Sequence, residues 1–352
     1  MITQQELADR AGITRSSMGV HISNMMKKGL IAGKGYVLPP AAYAAVVGGV
    51  NVDIGGVSYA PLAAGDSNPG RVRVSLGGVG RNIAHNMALL GLDARLLTVL
   101  GEDDHAARIS ASCAELGIDL SRSLRLPGAA TSTYLFIAGP GGDMAVAVSD
   151  MDVYDRLTPE VLSERKAWLD RARVVVVDAN VPAESIAWLC AHVTAPIFAD
   201  PVSAAKAGRL QPVLGALHTL KPNRLEAERL SGVAITDERS LNRAADVLLG
   251  AGLRRLFLSL GPEGLLAADH AGRLRLKGRG QTIVNATGSG DALMAGLIWA
   301  WLEGLDLAGS ARAGMAAAAA AMAGAETINP ALSADRVKAT MNDFEEVREE
   351  QP

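Results

Sequence analysis

The chain has 352 residues, enough for one large α/β domain with additions or for two domains. Apolar residues make up 49% and charged residues 20%, which supplies a large core and excludes a disordered chain. Aromatics at 4% beside 38 glycines favour close-packed helix–sheet layers over an aromatic-rich sandwich, and a net charge of −3 excludes a generally basic surface.

Charge is unevenly placed, because residues 1–40 hold five Lys/Arg against two Asp/Glu while the rest holds 29 against 35. That basic head reads as its own unit. Gln4–Ala11 has a short helical pattern, Gly12-Ile13-Thr14 a turn, and Ser16 to Lys28 a second helix with Met18, Ile22, Met25 and Met26 at helical spacing. Gly33-Lys34-Gly35 then lies between two short extended pieces, which is the rhythm of a winged helix-turn-helix. Pro39-Pro40 and Ala41-Ala42 make a linker.

From Tyr43 onward strands alternate with helices. The predicted strands are Ala44–Val50, Ala94–Leu100, Arg173–Asp178, Ile197–Asp200 and Arg255–Leu260. The predicted helices are Asn82–Leu90, Arg108–Leu116, Ala183–His192, Leu225–Leu230, Leu241–Leu249, Asp291–Leu302 and Leu307–Ala325. Continuous apolar strands between helices imply a doubly wound, mostly parallel sheet with helices on both faces. Gly70–Leu76 and Thr133–Ser149 instead alternate with period two, the latter around a Gly139–Gly142 turn, and predict a small half-exposed β-sheet beside the core, suited to act as a lid. The run Ala316–Ala321 reads as a close-packed core helix.

Cys113 and Cys190 stand far apart with no CxxC pattern, which excludes a disulfide scaffold or structural zinc site. The opening MITQQELADR lacks a signal-peptide core, and the apolar run Ala292–Leu302 is about half of what a bilayer requires. A cytoplasmic protein with no membrane segment is expected.

Three segments carry chemistry. In Asn285-Ala286-Thr287-Gly288-Ser289-Gly290-Asp291 a glycine-rich turn opens a helix, so unpaired amides converge on an anion site, with Asp291 at its mouth. A carboxylate beside phosphate is suited to take a proton from an attacking hydroxyl; the alternative is a helix cap. In Gly77-Gly78-Val79-Gly80-Arg81-Asn82 the glycines permit close backbone approach and Asn82 offers a donor and an acceptor, yet no Walker motif is present. Gly48-Gly49-Val50 lacks the third glycine of a dinucleotide turn. Asn51 and Asp53, past the end of the first strand, sit where α/β sheets place ligand contacts, and a carboxylate there suits adjacent sugar hydroxyls. In Lys221-Pro222-Asn223-Arg224-Leu225-Glu226, Asn223 and Glu226 share one helix face, either to hold Mg²⁺ or its waters near a polyphosphate or to form a capping box.

Together these segments resemble the ribokinase-like (PfkB-type) carbohydrate and nucleoside kinases, from Ala44 to about Ala334. The Gly77–Ala84 stretch matches that family's N-terminal signature, Thr287–Asp291 with Ala295-Gly296 its C-terminal one, and Asn223-x-x-Glu226 its magnesium motif. The resemblance implies a kinase domain over 41–352, with a β lid near 62–76 and 125–150, behind a winged helix-turn-helix over 1–40. It implies Asp291 as catalytic base and Gly288, Ser289 and Gly290 as anion hole. Asn223, Glu226, Ser259 and Gly261 would serve ATP phosphates, with Mg²⁺ held through water by Glu226 and Asn223. Asn51, Asp53, Gly78, Asn82 and Lys206 would bind the acceptor, Lys206 being otherwise a solvated surface lysine. Asn285 stands where cation-binding relatives carry Asp, so activation by a monovalent cation is in question.

The segments Gly142-Asp143-Met144, Ser149-Asp150-Met151 and Asp200-Pro201-Val202-Ser203 with Lys206 are similar to the pseudouridine kinase branch. The implied reaction is ATP-dependent phosphorylation of a nucleoside 5′-hydroxyl, with inosine, guanosine, adenosine, ribose or fructose as alternative acceptors. The implied partners are a second copy of the chain and, through residues 1–38, DNA. Arg15, Ser16, Ser17, His21 and Lys34 would be the DNA contacts, in a head of net charge +3 that would need a dimer to bind tightly. A nucleoside-sensing transcription regulator is the reading from another class.

Overall fold

The computed structural model describes residues 2–28, 30, 31, 43–278 and 283–347. The chain divides into two compact units, Met1–Ala42 and Tyr43–Pro352.

In the first unit, helix Gln4–Arg10 starts at a Thr3/Glu6 capping box and helix Arg15–Lys27 at Thr14. Ala8, Met18, Ile22 and Ile31 form its small core. Arg15, Ser16, Ser17 and His21 are all exposed. The Thr14 hydroxyl donates to Ser17 Oγ at 2.9 Å and lies 3.0 Å from Ser16 Oγ, so both serines take part in the helix start. Lys34 and the predicted wing lie outside the described residues.

The second unit is built on a nine-stranded mixed sheet. Six parallel strands run in the order Ala94–Leu97, Ala44–Val47, Val174–Asp178, Ile197–Asp200, Thr219–Leu220 and Arg255–Ser259. Three antiparallel strands, Leu265–Asp269, Arg273–Gly278 and Phe344–Glu346, extend one edge and were not anticipated. The continuous apolar strands serve both faces at once. Ala45, Val47, Leu97, Val175, Val177 and Ala199 enter one core, and Ala44, Val46, Leu96, Val174, Val176 and Phe198 enter the other. Helices Ala183–His192 and Glu238–Gly250 cover the first face; Val79–Leu89, Ser289–Leu302 and Leu307–Met322 cover the second. The alanine-rich run is a close-packed helix as expected: a Cβ at Gly296 would stand 2.9 Å from that of Ala317.

The chain leaves the first strand in one direction toward Ala94–Leu97 and in the other toward Val174–Asp178. The carboxyl ends of those strands therefore open a crevice at a reversal of strand order, where α/β sheets bind ligands.

A separate four-stranded sheet, in the order Gly70–Gly77, Asn51–Ser58, Thr133–Ala138 and Met144–Asp150, lies beside that crevice. Three boundaries differ from the expectation. The sheet includes Asn51–Ser58, outside the lid bounds expected from sequence, and leaves out 62–69 and 125–132. Gly55 and Gly56 weaken the strand pattern of Asn51–Ser58, but the Phe136 ring fills the space a side chain at Gly55 would need. Leu124–Leu126 pairs instead with Val99–Gly101, because the strand predicted over 94–100 breaks at Thr98.

Candidate active site

The helix Ser289–Leu302 begins at Gly288, whose φ of +79° and the Thr327 carbonyl 2.4 Å from any added Cβ exclude other residues there. No side chain caps the helix. The Ser289 amide and hydroxyl both go to the Ala286 carbonyl, and the Gly290 and Asp291 amides have no partner among the described residues. The opening turn thus presents unpartnered amides, an arrangement that can take an anion.

Asp291 is not a cap. It is 9% exposed, and its Oδ2 accepts from Asn82 Nδ2 at 2.9 Å. Burial pushes its pKa up to about 7; neighbouring Asp200 and Asp178 add to the rise, while Asn82 and Lys221 oppose it. Asn82 Oδ1 is buried without a partner, an acceptor free for a ligand hydroxyl.

Asn51 and Asp53 share one face of their strand, and Asn51 Nδ2 donates to Asp53 Oδ1 at 2.5 Å. Burial raises the Asp53 pKa, with Asn51 and Arg81 opposing. Gly78 has a φ of +96° and lies so near the Val50 backbone that a Cβ would stand 2.4 Å from its Cα. Lys206 is no freely solvated lysine: it is half-buried, and its Nζ donates to Asn180 Oδ1 at 2.5 Å. Burial lowers its pKa and Asp178 opposes the fall.

On the phosphate side, Asn223 and Glu226 make the capping box that their spacing also allowed. The Asn223 amide and Nδ2 donate to the two oxygens of Glu226 at 2.8 and 2.9 Å. Among the described residues no three His, Cys, Asp or Glu side chains are grouped to ligate a metal. A Mg²⁺ that keeps its own waters still fits, since both Glu226 oxygens retain lone pairs beyond the bonds they accept from Asn223. Ser259 donates its amide to the Pro222 carbonyl at 2.9 Å and pairs with Asn223 in an isolated bridge, and Gly261 opens the next turn into free space. The Asn285 amide donates to the Ala325 carbonyl at 3.2 Å while its oxygen accepts from Thr287, so a carboxylate there would lose one of these bonds.

Four residues not singled out from sequence complete the site. Asp178 and Asp200 end neighbouring strands and are register partners. Asp178 accepts from the Gly49 and Asn180 amides, and burial drives its pKa up to about 6. Asp200 Oδ1 holds the Val202 amide in a turn where Val202 has a φ of +66°, an uncommon conformation for a β-branched residue. Asp200 Oδ2 lies 3.1 Å from the buried Lys221 ammonium. Burial would lower the Lys221 pKa, but Asp200, Glu226 and Asp291 outweigh it and raise it. A Cβ added at Gly290 would be 3.2 Å from Lys221 Nζ, which puts this ammonium at the anion site. Asn180, the fourth, is the partner of Lys206.

A parallel-sheet crevice with an amide-lined helix start, a buried carboxylate and a buried ammonium suits a phosphotransferase acting on an alcohol. Residues 41–334 match the profile of the pfkB family carbohydrate kinases, and the chain belongs to that family. It is 40% identical over 337 residues to "Uncharacterized sugar kinase YeiI" of Escherichia coli K12, covering 95% of this chain and 93% of that one. It is 39% identical over 293 residues to the pseudouridine kinase of the same organism, covering 83% and 94%. The fold is that of ribokinase from Thermotoga maritima, with a TM-score of 0.76 at 22% identity over 85% of this chain and 99% of that one. Among the described residues no helix is long and apolar enough to cross a membrane.

Proposed function

We propose that this kinase transfers the γ-phosphoryl group of ATP to the 5′-hydroxyl of a ribosyl nucleoside, pseudouridine first among them. The observation that carries the phosphotransfer is the Asn82–Asp291 hydrogen bond, which joins an acceptor-side amide to the carboxylate at the anion site. In this reading Asn51, Asp53, Gly78 and Asn82 hold the sugar hydroxyls. Asp291 takes the proton of the attacking hydroxyl as phosphate arrives. The amides of Gly288, Gly290 and Asp291 and the Lys221 ammonium stabilise the charge on the transferring group, while the Ser289 amide, expected from sequence to join them, is held by the Ala286 carbonyl. Asn223, Glu226, Ser259 and Gly261 flank the remaining phosphates. Kinases of this family use ATP, generally with Mg²⁺; Glu226 and Asn223 would hold the ion through water, and it would neutralise phosphate charge.

Pseudouridine is favoured by the 39% identity with an enzyme of that name and by the Asn180–Lys206 pair, which offers an amide and an ammonium to a polar base. The 40% identity with a sugar kinase favours the second reading, another nucleoside or a free sugar as acceptor. ADP release is the test, measured over pseudouridine, uridine, inosine, guanosine, adenosine, ribose and fructose. Pseudouridine is expected to give the highest kcat/KM; a higher value with ribose or fructose contradicts the nucleoside reading. No ADP release with any acceptor, together with DNA binding altered by a nucleoside, would favour the regulator.

Two further readings concern partners. The outer face of the small sheet sets Val74, Ile54, Leu135 and Val148 in one row and Val72, Gly56, Ile137 and Val146 in the next, most of these side chains exposed. A second copy of the chain would cover this apolar face. The exposed Arg15, Ser16, Ser17 and His21 keep a DNA contact open for the N-terminal unit. A monomeric sedimentation coefficient contradicts pairing, and unshifted DNA contradicts the second reading.

A further inference from the structure

The chain passes between the large sheet and the small one at four places: after Val50, at Gly77, after Ser132 and after Asp150. Tyr154 follows the last of these, in the 3₁₀ helix Asp152–Arg156, and is only 2% exposed. Its hydroxyl accepts the Val50 N–H at 2.5 Å and donates to the Val50 carbonyl at 2.6 Å. Thr98 Oγ1 stands 3.3 Å away. An extended residue sends its N–H and C=O toward the same edge, so the phenol stands in for a neighbouring strand where the ladder of Ala44–Val47 has ended. With its one proton on the Val50 carbonyl, the phenol oxygen can receive both the Val50 amide and the Thr98 hydroxyl.

The residues on either side give this contact its reach. Asn51 and Asp53, which begin the small sheet, follow Val50 directly. The Val52 amide donates to the Ser132 carbonyl at 3.0 Å, so the third crossing is tied to the first. Thr98 marks the break between Ala94–Leu97 and Val99–Gly101. The phenol therefore joins the first entry to the small sheet, the last exit from it and a break in the core sheet, with no contact to the crevice needed.

We propose that Tyr154 is a positioning residue for the acceptor site: its hydroxyl fixes the Val50 peptide and thereby the direction in which Asn51 and Asp53 are delivered. This rests on the reading of those two residues as acceptor contacts. Without the hydroxyl, the Val50 amide and carbonyl lose their shared partner in a buried place, and the start of the small sheet loosens while the phosphate side keeps its own supports.

The test is Tyr154→Phe, which keeps the ring. The acceptor KM is expected to rise roughly tenfold, the KM for ATP to stay within about twofold, and ADP released per acceptor phosphorylated to exceed that of the wild type. Hydrogen exchange of amides in 51–58 should accelerate relative to those in 174–178. A lower melting temperature with both KM values and the ADP ratio unchanged would overturn the proposal, since that is what a purely structural phenol gives. Should the wild type phosphorylate no acceptor, the functional reading fails separately, and unchanged exchange in 51–58 would still overturn the role of Tyr154. If Tyr154→Phe does not fold, Thr98→Val removes only the 3.3 Å contact. It should raise the acceptor KM by about threefold, and no rise overturns the proposal.

Discussion

Asp291→Asn is expected to lower kcat by about 10²–10⁴-fold while ATP binding stays within a fewfold of wild type. The asparagine keeps the shape of the side chain and can still meet Asn82, so the site is preserved and only the proton acceptor is removed. The same change should raise thermal stability at pH 8. The Asp291 pKa in the folded chain, about 7, lies above its ordinary 3.8. Its contribution to stability is therefore fully present below the ordinary value and lost as pH rises through about 7. Asparagine cannot ionise, so the variant's advantage should be largest above pH 7 and fade toward pH 4. A carboxylate that weakens the fold where it is ionised fits a group kept for chemistry. Near-normal turnover in this variant would remove Asp291 from the reaction.

Lys221→Met should lower kcat by about 10²–10³-fold, the usual span for a lost charge stabiliser in a water-poor site. It should also destabilise the chain, because Asp200, 3.1 Å from the ammonium and only 3% exposed, would be left as a buried unpaired charge. The two effects separate in a double variant. Adding Asp200→Asn removes the stranded charge and is expected to restore melting temperature but not turnover. Recovery of both would mean that Lys221 serves only to neutralise Asp200.

The layered core was legible because its signals are local. Runs such as Val174–Val177 are apolar at every position, and only a strand covered on both faces needs that. The Gly288–Asp291 turn was equally legible, since the glycines, the helix start and the carboxylate are contiguous. Asn223 and Glu226 show the limit of a local pattern: the capping box is made, and the same spacing is what a phosphate motif would use. Asp178 carries no local signal, and Asp200 stands in a segment similar to the pseudouridine kinase branch without a role of its own; each is one acid at the end of a strand, and they meet only through parallel register. Tyr154 and Val50 are 104 positions apart, and no periodicity links them. The antiparallel strands Leu265–Asp269 and Arg273–Gly278, joined by the turn Asp269 to Gly272, lie in a stretch for which the sequence predicted no element, because Arg273, Arg275 and Lys277 break the continuous apolar pattern that marks the parallel strands.

In the proposed reaction Asp291 must be ionised for phosphoryl transfer. The pH dependence of kcat/KM for the acceptor tests it most directly. With a group of pKa about 7 acting as base, kcat/KM should level off above neutrality and fall about tenfold per pH unit below it, and Asp291→Asn should abolish that limb. A wild-type profile that stays flat from pH 5.5 to 8, with chemistry rate-limiting, would contradict the assignment of Asp291 as the base.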